Sequence, residues 1–198
     1  VNAVLVDASA ISSALTSLLV SGLEVEVKGT MKDGELIADK IEIRSAEARF
    51  KAQIKSVGNN SIEIGYPSIA TSSSLLLNSR SLLVDELGVF KPFTVSNLVE
   101  GMEVNVSVVK MENDWVVSTL KRSPLNEYEA EGLVTATTGT NSLTVAGFQI
   151  DVSGVSDFEI NDVNKTAAQF FAAIVLDSSR VKLEDEDKDG VFDKAELE

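Results

Sequence analysis

The sequence contains no cysteine and no histidine. The first absence excludes disulfides, thiolate metal sites and cysteine nucleophiles. The second removes the commonest general base, the commonest zinc ligand and every Ser-His or Cys-His pair. Positive charge is also scarce, with 17 Lys and Arg against 31 Asp and Glu, a formal net charge of -14. Affinity for nucleic acid comes largely from neutralising phosphates with Lys and Arg, so a nucleic-acid partner is not expected, and an anionic membrane surface is disfavoured for the same reason. No uninterrupted apolar run approaches the roughly 18 to 20 residues that a membrane helix needs, so no direct membrane span is expected. The N-terminus lacks a basic region followed by an apolar core, and Val1 opens in mid-pattern, as in a processed or truncated product. With imidazole and thiol gone, catalysis would fall to carboxylates or lysine alone, and the expectation is a protein that is not an enzyme.

What the chain does contain is 44% hydrophobic residues over 198 positions, ample for buried cores. It also contains itself, more than once. Gly22-Leu23-Glu24-Val25-Glu26-Val27 is answered 79 residues later by Gly101-Met102-Glu103-Val104-Asn105-Val106. The offset runs without a gap through the following turn, placing Gly34 over Asn113, Leu36 over Trp115 and Ile41 over Leu120. Gly and Asn are the residues that most readily take positive φ in a tight hairpin turn, so the match is physical as well as textual. A third version appears near the end: Val181-Lys182-Leu183 leading to Lys188-Asp189-Gly190 stands 156 residues after Val25-Glu26-Val27 leading to Lys32-Asp33-Gly34.

Each unit is expected to open with a β-hairpin. Phe50-Lys51-Ala52-Gln53 then Ser61-Ile62-Glu63-Ile64 matches Tyr128-Glu129-Ala130-Glu131 then Ser142-Leu143-Thr144-Val145. The first unit has no such hairpin and enters at Val1 to Asp7, which resembles the third strand Phe148-Gln149-Ile150-Asp151. Between third strand and closing hairpin, Ile11 to Val20, Leu75 to Val99 and Asn164 to Leu176 have helical leanings, the last with Asn161 or Asp162 as candidate N-cap. The fold class that follows is mainly β: tandem small OB-like β-barrels, each with one short helix. The units are an incomplete first barrel over residues 1–46, a second over 47–124 and a third over 125–198. Short linkers at Arg44 to Glu47 and Arg122 to Asn126 predict a fairly fixed, rod-like arrangement.

The stretch from Gly22 to Ile41, with its Gly-x-Glu-Val-Glu-Val-Lys-Gly-Thr-x-Lys-Asp-Gly core, resembles a bacterial domain-of-unknown-function family. Glu131-Gly132-Leu133-Val134-Thr135-Ala136 shares the likeness. The resemblance implies OB-like β-barrels in tandem and an exported or lipoprotein-type envelope protein, hence an extracytoplasmic location. It implies no activity.

One segment carries a specific chemistry. From Asp185 to Glu196 the sequence satisfies the calcium-loop pattern D-x-[DN]-x-[DN]-G-x5-E at every specified position. Ca²⁺ takes six to eight hard oxygens, and alternating Asp residues ahead of a sharp Gly turn converge on one point. Asp185, Asp187 and Asp189 would supply side-chain oxygens, Val191 a backbone carbonyl, Asp193 a direct or water-mediated contact and Glu196 a bidentate carboxylate, with Phe192 as apolar anchor. The plainer reading of the same residues is an ordinary acidic hairpin turn. Strand-like alternation at Val181-Lys182-Leu183 argues against a helix-loop-helix, whereas the aligned Gly29 and Met31 of the first unit show that no turn requires Asp185 and Asp187. Glu129 and Glu131 share a strand face, as facing carboxylates of a glycosidase would and as simple surface alternation also would.

The functional expectation is a non-enzymatic extracytoplasmic structural or assembly protein that binds Ca²⁺ at its C-terminus. A barrel short of two strands exposes an edge that recruits another strand, so a homo-oligomer or filament formed by strand complementation of the first repeat is expected. The alternative is an oligosaccharide-binding module, since OB-like barrels present a strand face to such ligands.

Overall fold

The computed structural model describes residues 6, 7, 9, 25–43, 47–79 and 81–198. The fold is mainly β, and the strands follow from apolar residues at every second position: along β4 (Ala48–Val57) buried and half-buried residues alternate from Ala48 to Lys55.

Two closing hairpins show the 79-residue offset in their geometry. β2 (Val25–Lys32) pairs with β3 (Glu35–Ile43), and β8 (Glu103–Met111) with β9 (Asp114–Arg122). The ladder slips between Lys28 and Gly29 in the first pair and between Ser107 and Val108 in the second, positions 79 apart. The turns differ. Asp33 and Gly34 both have positive φ, whereas in the second hairpin the left-handed residue is Glu112, one place before the aligned Asn113. β1 (Val6–Asp7) runs parallel to β3 with Asp7 opposite Ile37, and β6 (Ser72–Leu76) runs parallel to β9 with Leu76 opposite Val116, again 79 residues after Ile37.

The opening strands are also equivalent, at an offset that alternation alone does not reveal. β4 pairs with β5 (Ser61–Gly65) and slips between Ile54 and Ser56; β10 (Tyr128–Thr138) pairs with β11 (Ser142–Val145) and slips between Val134 and Ala136. These slips are 80 residues apart, so Phe50 corresponds to Ala130, not to Tyr128 as the sequence match has it. The error of two residues is one strand period and leaves every side chain on the same face.

Successive pairings lead from β4 to β5, to β6, to β9, to β8 and back to β4, with β7 (Leu82–Asp85) added in parallel on β9. In the last segment β10 pairs with β15 (Arg180–Asp185), β15 with β16 (Lys194–Leu197), and β16 in parallel with β13 (Asp157–Ile160). β14 (Val163–Lys165) flanks β13, and β12 (Phe148–Asp151) flanks β11.

The helical expectations fare unevenly. Ile11 to Val20 lies outside the described residues. Among the described residues Leu75 to Val99 holds no α-helix: it contains the end of β6, all of β7 and a 3-10 turn at Val95–Asn97. The Asp85 carboxylate takes the N–H groups of Leu87, Val89 and Phe90, which folds the chain into a loop where a helix would need those donors for itself. In the third stretch a seven-residue helix, α1 (Ala167–Ala173), does form. Its cap is Thr166, in a reciprocal box with Gln169, while Asn161 and Asp162 take positive φ in the turn between β13 and β14.

Segments 47–124 and 125–198 are joined by far more than a linker. β4 and β10 pair directly, Lys51 opposite Glu129, Phe50 opposite Ala130, Arg49 opposite Glu131 and Ala48 opposite Gly132. The strands come so close that a Cβ on Gly132 would lie 2.7 Å from the Ala48 methyl. Behind them one core runs through both segments. Tyr66 stacks on Phe148 at 5.5 Å and meets Phe192 edge-on at 4.9 Å and Tyr128 at 5.8 Å, while Phe50 packs against Phe148 at 5.9 Å. The rod of separately linked barrels is therefore replaced, over 47–198, by one sheet and one core. Trp115 packs against that core half-buried, with the Lys110 ammonium 5.7 Å from its ring centroid.

Candidate cation-binding turn

β15 delivers its last residue, Asp185, into the interior, where it is fully buried. The chain then turns through residues 186–193 before β16. The Asp185 carboxylate accepts the N–H of Lys188 at 2.7 Å and that of Gly190 at 2.8 Å, one on each oxygen. Asp187 accepts from Asp189 N at 3.1 Å, Asp189 from Val191 N at 2.7 Å, and Asp193 from Glu186 N at 3.1 Å. Side chains therefore serve donors that a strand ladder would otherwise satisfy, which is how a run of Asp residues shapes an irregular turn.

Carboxylate oxygens of Asp185, Asp187 and Asp193 lie within 4.8 Å of one another. Three of the six residues singled out in the sequence are thus brought together. Val191 is on the turn with an exposed side chain, Asp189 gives one oxygen to Val191 N, and Glu196 is elsewhere: it sits on β16, grouped with Glu159 and Asp162. The pattern placed Glu196 at the loop because it assumes a helix after the turn; a strand carries the same residue along the sheet instead. Phe192 is buried against Tyr66, as expected of the anchor.

Burial pushes the Asp185 carboxyl above the usual range; the Gly190 and Lys188 N–H groups oppose this, and the charges of Asp189 and Asp187 reinforce it.

What fastens the turn leaves no trace in the local sequence. Lys188, in the left-handed conformation at φ 64°, donates to Glu103 Oε1 at 2.6 Å and to the Leu125 carbonyl at 2.8 Å, with its ammonium 5.5 Å from the Tyr128 ring centroid. Burial works to raise the Glu103 carboxyl, but Lys188 and the Leu125 N–H outweigh it and hold the carboxyl below its ordinary value. Ser68 donates to the Asp189 carbonyl, and Gly190 lies against the Ser68 backbone. Gly190 has φ 92°, and a Cβ there would stand 2.6 Å from Ser68 N. Gly190→Ala is therefore expected to cost about 2 kcal/mol in urea denaturation, from left-handed strain and overpacking together.

Among the described residues, each of the two other acidic clusters already holds a lysine. Glu129 holds Lys51 at 2.8 Å and Lys182 at 3.8 Å, and Glu131 holds Arg180 at 2.8 Å and Arg49 at 3.8 Å, so both carboxylates of β10 are ion-paired. Lys194 pairs with Glu159 at 2.8 Å beside Glu196.

Residues 2–42 match a protein family described as Domain of unknown function (DUF5666). The matched stretch contains the Gly22 to Ile41 pattern and ends well before the acidic turn. No curated protein and no solved structure matches the chain. Among the described residues no helix is long and apolar enough to cross a membrane.

Proposed function

We propose that this chain is a non-enzymatic extracytoplasmic structural or assembly protein, built of tandem OB-like β-barrel repeats that associate through strand edges and stiffened by Ca²⁺ at the 185–193 turn. The observation that carries the reading is the meeting of equivalent strands. β4 and β10 occupy the same place in their units and pair edge to edge within one chain, which supports association through strand edges. The route of pairings from β4 back to β4 supports a small barrel, and the slips at offsets of 79 and 80 support tandem units.

In the first unit, β2 pairs with β3 along one edge and has no second strand among the described residues, whereas its counterparts β8 and β15 are flanked by β4 and β10. A strand paired on one side only takes up another strand, and the 25–32 edge is the one that this reading assigns to assembly. The extracytoplasmic placement rests on the family resemblance, and a Ca²⁺ site with few converging carboxylates suits the higher calcium concentrations outside cells. Six aromatic side chains, Phe50, Tyr66, Tyr128, Phe148, Phe170 and Phe192, are fully buried or nearly so, and of the half-buried ones Phe90 and Phe93 stack on each other while Trp115 lies under the Lys110 ammonium, which leaves the sugar-binding reading little free aromatic surface.

Sedimentation over a range of concentrations, with hydrogen exchange read at residues 25–32, tests the assembly. The expected result is concentration-dependent association that slows exchange in β2. A monomer at every concentration, with β2 exchanging alike throughout, rejects it.

A further inference from the structure

The β4–β10 seam is self-symmetric in its geometry and asymmetric in its charge. Because Phe50 corresponds to Ala130 and is paired with it, a local two-fold axis passes between them, and position 49 meets the counterpart of 51. On that frame β4 carries Arg49 and Lys51, while β10 carries Glu129 and Glu131. Lys51 bridges Glu129 at 2.8 Å and also Glu127, and Arg49 reaches Glu131 at 3.8 Å.

The same geometry with two identical strands would fail. A β4 edge on another β4 would set Arg49 against Lys51 twice, and a β10 edge on another β10 would set Glu129 against Glu131 twice. Like charges directly opposite each other in a sheet are destabilising. Sterics reject the first alternative independently. In it Ala48 faces Ala52, the counterpart of Gly132, and a Cβ at that place comes within 2.7 Å of the Ala48 methyl. The seam thus contains both an attraction and two repulsions, the combination by which specific interfaces discriminate.

We propose that the β4–β10 seam is a charge-sorted docking surface whose fitting partner is the complementary half of a second copy of this chain: a β4 edge accepts a β10 edge, its own or another copy's, and refuses another β4. Within one chain the short connection from Arg122 to Tyr128 gives the internal partner a large effective concentration, so the internal seam wins in dilute solution. Exchange with a second copy becomes the better choice when the internal seam is mismatched. This deepens the assembly reading by naming the strands that exchange, and it depends on that reading only for the equivalence of β4 and β10.

The test uses the full chain and two variants. Lys51→Glu makes β4 repel its own β10, and Glu129→Lys makes β10 repel its own β4. Each alone is expected to lower the thermal midpoint by roughly 4–8 °C, the shift that about two lost or reversed surface-to-half-buried ion pairs give in a chain of this size. Combining both changes in one chain restores part of the loss, the remainder reflecting Lys182 beside the changed position 129. Unfolded together in denaturant, mixed and refolded, the two variants form a 1:1 heterodimer. One of its seams joins the two substituted edges, whose charges are exchanged but still opposite, and the other joins the two unaltered edges through the original Lys51 and Glu129. Variants that refold only as separate monomers overturn the proposal, as do single variants with unchanged midpoints. The sedimentation and exchange experiment above reads the β2 edge, so either result can fail without the other.

Discussion

Replacing Asp185 with alanine is expected to lower the free energy of unfolding by about 3 kcal/mol and, on the proposed cation reading, to abolish any stabilisation by Ca²⁺. The first effect follows from the two N–H groups that Asp185 serves, those of Lys188 and Gly190, at 2.7 and 2.8 Å. A buried donor left without an acceptor costs about 1–3 kcal/mol, and bonds to an ionised acceptor lie at the upper end; relief from burying the charge offsets part of the sum. The second effect follows from the convergence of Asp185 with Asp187 and Asp193. On that reading, Ca²⁺ at about one hundred times its dissociation constant is expected to stabilise the native chain by about 2.7 kcal/mol, or roughly 5–10 °C in midpoint, over the chelated chain.

The pH dependence has a definite sign. Burial, against the Gly190 and Lys188 N–H groups and with the Asp189 and Asp187 charges, holds the Asp185 carboxyl above its unfolded value. The stabilising contribution of the protonated carboxyl is therefore complete below the unfolded value, about 3.9, and is lost as pH rises through the higher folded value. On the proposed cation reading, the Ca²⁺ increment is expected to grow across the same interval, because the ion binds the ionised carboxylates. Thermal melts in Ca²⁺ and in chelator, at several pH values, check all three statements; a Ca²⁺ increment that survives in Asp185→Ala places the ion elsewhere.

Phe192→Ala costs about 4 kcal/mol, the usual loss on removing a fully enclosed phenyl ring. The ring belongs to the acidic turn, yet it meets Tyr66 in a T-shaped contact at 4.9 Å, and Tyr66 in turn stacks on Phe148 and donates its hydroxyl to the Glu129 carbonyl at 2.9 Å. The cavity therefore opens in the middle of the shared core. Denaturant unfolding gives the size of the loss, and the slope of the transition separates a destabilised fold from one that has come apart into two. A loss below about 1 kcal/mol means that the core closes around the gap and that the turn is not anchored through Phe192.

The hairpins were legible because alternation, turn glycines and the repeated Gly-x-Glu-Val motif act locally. β2, β3, β8 and β9 can be drawn from the sequence with their turns. The match of Phe50 to Tyr128 shows where alternation stops informing: a two-residue shift leaves the pattern intact, and only the slip in the ladder fixes the register. Leu75 to Val99 was misread because Asp85, a single carboxylate, redirects three backbone donors, an effect invisible to periodicity. At the acidic turn the convergence of Asp185, Asp187 and Asp193 was foreshadowed by spacing. The departure of Glu196 was not, since it depends on β16 being a strand. Lys188 read as a turn residue, and nothing near it in the chain points to Glu103, 85 positions away. The union of 47–124 with 125–198 was likewise hidden, because what joins them is contact between residues some 80 positions apart.

That separation along the chain bears on the order of events in folding. The turn of β8 into β9 closes over two residues, Glu112 and Asn113, whereas Phe50 cannot find Ala130 until about eighty residues have been gathered in. Loop closure of that length is slow and its entropy must be met before the contact returns anything. The local hairpins can therefore form first, and the seam is left to close last, over an aromatic interior that has no other cover until it does. Buried residues of both segments belong to one interior, so the two are expected to gain and lose their structure as one body.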